Sequence, residues 1–177
     1  HGMTREMTDE NMKQEYIDEH PDLNPDFIFM GLAHNFRSNE INAVLGLSQL
    51  KKLDNNNQKR IDNFQYFIDG LDKDKYYTEF NLDGQCNYAF IIIMKDKDFE
   101  MRDRTENKLK ENGIEFRRGL SGGGNQLRQP FFKGMDINYD EYKTVEHIHN
   151  FSWYVGNYPS LETIKISKLL GVLNEIE

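Results

Sequence analysis

The run Tyr88-Ala89-Phe90-Ile91-Ile92-Ile93-Met94 carries the strongest fold signal in this sequence. It is short and continuous, and it consists of aromatic, β-branched and other apolar residues. A continuous apolar run of this length, without alternation, is typical of a central strand that is covered on both faces. The turn-like residues Leu82-Asp83-Gly84 precede the run, so we expect the strand to begin shortly after a turn.

A helix and a second strand follow this run along the chain. Apolar or small residues recur at four-residue spacing within 99–112, which predicts a helix whose inward face carries Met101, Thr105 and Leu109. Gly113 then stands where a helix commonly ends in the left-handed conformation. Residues 113–117 alternate as a strand does. This β-α-β pattern with short connections predicts an α/β layer rather than a helical bundle.

Four further segments complete the predicted fold. A helix over 38–50, capped by its first residue, is apolar around much of its circumference and should therefore be buried. A helix over about 55–71 has one apolar stripe and should cover that first helix or the sheet. Residues 139–148 predict another helix, followed by a short aromatic stretch, and the last helix opens at Pro159-Ser160. We therefore predict a helix pair packed on a small sheet of three or four strands.

The composition bounds the setting and the partners of the chain. Thirty acidic and 22 basic residues give a net charge of -8, which disfavours nucleic acid or an anionic membrane surface as a general partner. The single cysteine, Cys86, excludes an internal disulfide, and no apolar run is long enough to cross a bilayer. These features predict a cytoplasmic protein. Residues 1–25 are polar without a sustained period, so we expect a surface segment there.

The most unusual stretch for function is residues 117–130, Arg-Arg-Gly-Leu-Ser-Gly-Gly-Gly-Asn-Gln-Leu-Arg-Gln-Pro. Three consecutive glycines let a backbone approach a ligand closely, and three arginines are concentrated in a chain that is otherwise acidic. This combination suits an anionic, polyhydroxylated ligand. The stretch is neither a Walker loop nor a dinucleotide-binding motif. A flexible surface loop would explain the same residues, and both interpretations stay open.

Residues 33–37, Ala-His-Asn-Phe-Arg, come immediately before the helix predicted over 38–50. The backbone amides and the dipole of a helix N-terminus favour a phosphate group, and Asn35 and Arg37 would add donors. An ordinary capping segment, with these two side chains bonded to backbone carbonyls, explains the same residues. The local sequence therefore leaves a phosphate site and a capping role open.

Other kinds of catalytic site find no support in the sequence. His147 and His149 are two residues apart, which on a helix points them to different faces and prevents chelation of one metal ion. Ser121 and Ser152 lie in no Gly-x-Ser-x-Gly elbow. We therefore predict neither a metal site nor a nucleophilic serine.

Several segments, in chain order, resemble the sugar aminotransferases of pyridoxal-phosphate fold type I, the DegT/DnrJ/EryC1/StrS group, which includes the deoxysugar 3-dehydrases. The most specific match is residues 35–50, which are similar to the family's Tyr-Asn-x-Arg-x-Thr-Glu-Ile-x-Ala-Ala-x-Gly-x-x-Gln-Leu block. Residues 124–130 resemble the Gly-Asn-x-x-Arg-Gln-Pro variant of lipopolysaccharide-type and 3-dehydrase-like members. Residues 156–159 resemble their closing Gly-x-Tyr-Pro segment. Residues 1–5 resemble the Ser-His-Gly-x-x-Arg segment that lies shortly after the cofactor lysine.

This resemblance implies a domain organisation and an activity. Residues 38–177 would form the C-terminal small domain, and residues 1–37 would continue from a large domain that binds pyridoxal 5'-phosphate. The whole enzyme would be a homodimeric nucleotide-sugar aminotransferase with an amino donor, or alternatively a sugar 3-dehydrase, in which a histidine replaces the cofactor lysine. A truncated module that binds sugar nucleotides or forms dimers without chemistry of its own is the third possibility.

The resemblance also implies roles for particular residues. Asn35 would reach across the dimer to the cofactor phosphate of the neighbouring subunit, with Arg37 beside it. The loop from Ser121 to Arg128 would close over the nucleotide-sugar, with Asn125 and Arg128 donating hydrogen bonds to hydroxyl or phosphate oxygens. No residue of this chain is assigned a catalytic role, and no lysine is assigned the covalent bond to the cofactor. Two departures from the family pattern are the histidine that precedes Asn35 and the triple glycine, which lengthens the loop.

Overall fold

The chain divides into two compact units. A computed structural model describes residues 2–34, 38–120 and 123–176, and the division between the units falls after Lys51. The compact units therefore divide later along the chain than the domain boundary expected after Arg37. The assignment of residues 38–177 to a small domain, as the family uses that term, stays a prediction.

The first unit contains a helix that the sequence pattern did not indicate, α1, Glu10–Glu19. Its N-cap is Asp9, whose carboxylate accepts hydrogen bonds from the backbone amides of Asn11 and Met12 at 3.0 and 3.1 Å. No residue of α1 is buried. The expectation of a surface segment is confirmed for α1. The sequence shows no apolar period there because an exposed helix needs a cap and polar pairs rather than an apolar stripe.

The helix expected over 38–50 is α2, Glu40–Leu50. Its cap is Asn39, whose side chain accepts from the amide of Asn42 at 2.9 Å, so the expected cap at Ser38 was one residue too early. Every residue of α2 is exposed, and the prediction that this helix is buried is therefore wrong for this structure. Apolar composition reports how strongly a helix favours burial, but it does not supply the surface that would bury it.

The second unit is built on a three-stranded antiparallel sheet. The strands are β1, Ala89–Ile93, β2, Arg117–Arg118, and β3, Ser152–Gly156, in the order β1-β3-β2. β1 is thus an edge strand of this sheet, and the prediction of a central strand covered on both faces is wrong. Its alternate residues Phe90 and Ile92 are buried, whereas Ile91 and Ile93 are only half-buried.

The second strand of the predicted β-α-β pattern is much shorter than expected. Residues 113–116 do not pair as a strand, because their backbone completes the C-terminus of the preceding helix instead. The amide of Gly113 donates to the carbonyl of Lys110 at 3.0 Å, and that of Ile114 donates to the carbonyl of Leu109 at 2.9 Å. Gly113 has φ +68°, which confirms the left-handed C-cap.

Four helices of the second unit pack against the sheet and one another: α3, Leu53–Gly70, α4, Phe99–Glu111, α5, Lys143–Phe151, and α6, Thr163–Asn174. α3 packs against α6, and the Phe67 ring of α3 lies 4.7 Å from the Phe90 ring of β1. The prediction of helices on a small sheet of three or four strands is confirmed. α6 begins after Glu162 rather than at Ser160. None of the helices in the described ranges is long and apolar enough to cross a bilayer.

Candidate functional site

The loop of the arginine- and glycine-rich stretch, residues 119–125, joins β2 to a short 3-10 helix, Gln126–Arg128, and the structure describes its residues 119–120 and 123–125. Gly119 and Gly124 both have left-handed backbones, with φ +79° and +89°. A Cβ atom on Gly119 would lie 2.9 Å from the backbone of Gly124, and a Cβ on Gly124 would lie 2.4 Å from the ring of His149. In this structure, the close approach that these glycines permit is therefore made to the loop itself and to α5.

Asn125 anchors the loop to α5. Its side chain is only 2% exposed. Its backbone amide donates to Nδ1 of His149 at 3.1 Å, and its side-chain amide donates to Oε1 of Glu146 at 2.5 Å. Its side-chain oxygen accepts from the amide of Leu127 at 3.0 Å, which caps the 3-10 helix. The backbone amide, the side-chain amide and the side-chain oxygen of Asn125 thus hold the loop in place.

Arg128 forms a fork with Glu146. Its Nε donates to the two carboxylate oxygens at 2.9 and 3.1 Å, and its Nη2 donates to Oε2. The guanidinium also lies over the Tyr139 ring, 4.7 Å from the centroid. The Arg128 guanidinium, with a hydrogen bond from Asn125, holds the pKa of the Glu146 carboxyl below its ordinary value. A two-point contact of this kind fixes the orientation of an arginine as well as its position.

A polar cleft of about 300 Å³ opens beside this fork. Arg128, Tyr139, Glu146 and His147 contribute to its walls, and the remaining lining residues are Lys97, Phe99, Asp140, Lys143, Asn150 and Phe151. Three cations and two carboxylates therefore meet at one opening. Because the Glu146 carboxylate neutralises Arg128, the other two cations face a single further acid, and the cleft suits a small polyhydroxylated or anionic group.

The other end of the loop is fixed by a second carboxylate, Glu106 of α4. Glu106 is only 7% exposed. It accepts hydrogen bonds from Nε and Nη2 of Arg118, the latter at 2.6 Å, and from Nε1 of the buried Trp153 at 2.9 Å. Burial works against the charge of this carboxyl, but the donors on Arg118 and Trp153 outweigh burial and hold the pKa of Glu106 below its ordinary value.

His147 and His149 make hydrogen bonds to different parts of the structure, as their two-residue spacing on a helix implies. His149 accepts the loop amide of Asn125, whereas Nε2 of His147 lies 2.7 Å from the carbonyl oxygen of Met94. Sequence reasoning missed Glu146, His149 and Glu106 as partners of the loop. The spacing of Glu146 and His149 by one helical turn is the one signal that could have indicated a shared face.

The structure brings together two of the five residues predicted to bind ligands. Asn125 and Arg128 meet at Glu146. Ser121, Asn35 and Arg37 lie outside the described residues. Because the side chain of Asn125 is buried and bonded within the protein, direct donation from Asn125 to a substrate stays a prediction and would require it to change partners.

Comparison with known proteins points to one family. The sequence profile of the DegT/DnrJ/EryC1/StrS aminotransferase family matches residues 1–171. The lipopolysaccharide biosynthesis protein RfbH of Salmonella typhimurium is 25% identical over 84% of this chain and 35% of its own length. The GDP-4-keto-6-deoxy-D-mannose 3-dehydratase of Escherichia coli O55:H7 is 26% identical over 89% of this chain and 41% of its own length. A UDP-4-amino-4,6-dideoxy-N-acetyl-beta-L-altrosamine transaminase of Helicobacter pylori is 34% identical over 58% of this chain and 29% of its own length.

Solved structures agree on the fold. The crystal structure of GDP-4-keto-6-deoxymannose-3-dehydratase with a trapped PLP-glutamate geminal diamine matches with a TM-score of 0.68 and 25% identity, covering 83% of this chain and 38% of that one. The E. coli GDP-4-keto-6-deoxy-D-mannose-3-dehydratase with bound hydrated PLP matches with a TM-score of 0.64 and 23% identity, covering 98% and 44%. The chain thus spans about two fifths of the length of these relatives.

Proposed function

Because this chain belongs to the DegT/DnrJ/EryC1/StrS aminotransferase family, we propose that it forms the C-terminal part of a pyridoxal-phosphate-dependent enzyme that acts on a nucleotide-linked keto-sugar. Transfer of an amino group from an amino donor to the keto carbon is the reaction that the family description favours. The family match over nearly the whole chain carries this proposal. A homodimer in the cytoplasm is the assembly and setting that we propose with it.

The anchored loop gives this function its substrate-binding element. Arg128 is held by Glu146 through Nε and Nη2, so its guanidinium presents a fixed, partly exposed edge beside the polar cleft. An arginine whose orientation is already fixed loses little conformational entropy when a hydroxyl or phosphate oxygen binds. We propose that Arg128 binds the substrate, with Ser121 contributing from the same loop and Asn125 holding the loop in shape.

The cofactor contacts of this chain would come from Asn35 and Arg37. An asparagine and an arginine side chain can both donate hydrogen bonds, which suits a phosphate group, and α2 begins at Glu40 with a helix N-terminus capped by Asn39. When bound, pyridoxal phosphate would withdraw electrons from a substrate carbon that carries nitrogen, which makes it easier to remove a proton from that carbon. The role of this chain would be to hold the phosphate group of the cofactor. Asn35 would reach the cofactor that is bound in the partner subunit.

A sugar 3-dehydrase is the second candidate, and a specific observation favours it. The GDP-4-keto-6-deoxy-D-mannose 3-dehydratase of E. coli O55:H7 matches 89% of this chain, whereas the H. pylori transaminase is more identical but matches only 58%. Both reactions begin from a keto-sugar linked to a nucleotide. They differ in whether the keto oxygen is replaced by an amine or the C-3 hydroxyl group is lost.

The test uses the polypeptide encoded by the complete reading frame, incubated with pyridoxal phosphate, glutamate and GDP-4-keto-6-deoxymannose. We expect mass spectrometry to find a product with an amine at the keto position, or, for the second candidate, a product that lacks the C-3 hydroxyl. In Arg128→Gln we expect KM for the keto-sugar to rise about tenfold, since a charge-assisted hydrogen bond is lost. The control is Lys108→Gln, an exposed lysine of α4. If neither product forms, or if KM in Arg128→Gln equals that of the control, the proposal fails.

A further inference from the structure

A second, larger cleft of about 800 Å³ lies in the same unit, between α6 and the segment that joins α4 to β2. It shares no lining residue with the cleft beside Arg128. Residues 113–116 pair with no strand, and the amides of Gly113 and Ile114 bond to the end of α4. The cleft lies between this segment and α6, with Phe90 and Val155 of the sheet among its lining residues. A cleft of this volume is within the range that holds a drug-sized ligand.

The walls of this cleft are rich in tyrosine. Tyr88, Tyr154 and Tyr158 all line it. Tyr88 is 65% exposed, and its ring meets that of Tyr154 edge-to-face with 6.1 Å between the centroids. A large exposed ring beside a half-buried one is a surface on which another planar group can stack. Stacking on an aromatic side chain accepts any nucleobase, because every base has a flat π-face.

The positive charges that line this cleft are less compensated by carboxylates than those of Arg118 and Arg128. Arg118 and Arg128 are each neutralised by a glutamate. By contrast, Arg117 donates to the hydroxyl of Tyr154 at 3.3 Å.

Two lysines of α6 add to the positive charge of the same cleft. Lys168 donates to the backbone carbonyl of Asn112 at 2.8 Å, a neutral partner that leaves its charge in place. Lys165 lies 3.8 Å from the exposed Glu162, a surface pair of little strength. With Arg117, three cations therefore face one lining carboxylate, that of Glu115. This local excess of positive charge, in a chain of net charge -8, favours an anionic ligand.

Polar groups on the wall argue against a lipid chain. Asn112 and Glu115 line the cleft beside the apolar residues. An aliphatic chain would remove these groups from water without giving them hydrogen bonds, which is unfavourable. The edge of a heterocyclic base offers donors and acceptors to both.

We propose that this cleft binds a nucleoside 5'-phosphate, with the base stacked on the exposed ring of Tyr88 and the phosphate held by Arg117 and Lys168. The proposal rests on the second unit alone and does not depend on the proposed function. The same chemistry could come from a free nucleotide or from the nucleotide part of a sugar nucleotide, and the experiment separates these two sources.

The experiment titrates the polypeptide encoded by the complete reading frame with AMP and follows it by calorimetry and by amide NMR. Parallel titrations use UMP, GMP, GDP-mannose, ribose 5-phosphate and decanoate. We expect saturable binding of AMP or UMP, with shift changes confined to residues that line the cleft, and much weaker binding of ribose 5-phosphate. If GDP-mannose binds more tightly than GMP, the natural source is a sugar nucleotide; if it binds more weakly, the source is a free nucleotide.

Variants test the two parts of the site separately. Arg117→Gln and Lys168→Gln should each weaken AMP binding about tenfold, and Tyr88→Ala should weaken AMP but not ribose 5-phosphate. The matched control is Lys108→Gln, an exposed lysine of α4 that lines neither of the two clefts, which should leave AMP binding unchanged. Lys168 also bonds the end of α4, so circular dichroism checks that the Lys168→Gln variant is folded. If that variant is unfolded, the result for Arg117→Gln decides the test. No saturable nucleotide binding at millimolar concentration, equal binding of ribose 5-phosphate and AMP, or binding of decanoate alone would each overturn the proposal.

Discussion

Replacing Glu146 by alanine tests whether α5 holds the candidate substrate loop. The carboxylate accepts the Arg128 fork and the side-chain amide of Asn125. The fork is partly exposed, with 41% of the Arg128 side chain accessible, so it contributes only about 0.2–1 kcal/mol. The bond to the buried Asn125 amide contributes about 1.5–3 kcal/mol, because its loss leaves a buried donor unpaired. Together these give about 2–4 kcal/mol for closing the loop.

Amide hydrogen exchange measures this closing free energy locally. The amide of Asn125 is bonded to His149, and that of Leu127 is bonded to the side chain of Asn125. If both bonds depend on Glu146, a loss of about 2–4 kcal/mol makes these two amides exchange about 30- to 1,000-fold faster. The amide of Ile114, bonded to Leu109 at the end of α4, should keep its rate if the loop opens without global unfolding.

The matched control is Glu111→Ala, an exposed acid in the last turn of α4. Removing a negative charge near a helix C-terminus should change stability by no more than about 0.5 kcal/mol. Exchange of the Asn125 and Leu127 amides at the wild-type rate in Glu146→Ala would show that the loop is held by other contacts, and the reasoning about α5 would be refuted.

Three further predictions concern stability. The pKa of Glu106 in the folded state lies below its unfolded value near 4.5. The contribution of this carboxylate to stability is therefore present above that value and is lost as pH falls through the folded-state pKa. Urea midpoints of Glu106→Gln should accordingly depend less on pH in the acid range than those of the wild type. Burial raises the pKa of Tyr76 to about 12, so unfolding should become easier above pH ~10, the ordinary tyrosine pKa, and Tyr76→Phe should reduce that alkaline sensitivity. Gly124→Ala should destabilise by about 2–3 kcal/mol because its Cβ would strike His149, whereas Gly123→Ala, also left-handed but with open space around it, should lose only about 1 kcal/mol in thermal unfolding.

Local sequence signals predicted much of the second unit. The four-residue spacing within 99–112 and the glycine that follows gave α4 and its C-cap, since both depend on residues within one or two turns. The apolar run before them was correctly identified as a strand. Its place in the sheet was not, because strand order depends on which segments pair, and the partner β3 lies some sixty residues along the chain.

The candidate site was predicted in outline but not in its contacts. Residues 117–130 stood out because glycines and arginines were concentrated there, and Arg128 does lie at a polar cleft. No local pattern pairs Arg128 with Glu146, eighteen residues away. A free arginine therefore could not be distinguished by sequence from one that is already held by a carboxylate. The prediction that α2 is buried failed for the same reason. Its apolar composition indicated a preference for burial but did not identify a surface that would cover the helix.

What the chain determined by itself is most of the helices and strands of the second unit and the family that its motifs match, because these follow from residue type and from spacing over short distances. Tertiary structure alone decided which charges are neutralised and which stay available. Arg117 and Arg118 are neighbours in sequence, yet one bonds a tyrosine hydroxyl and the other a buried glutamate. Successive residues of a strand point to opposite faces, so the charge that each side chain meets depends on the elements packed against that face.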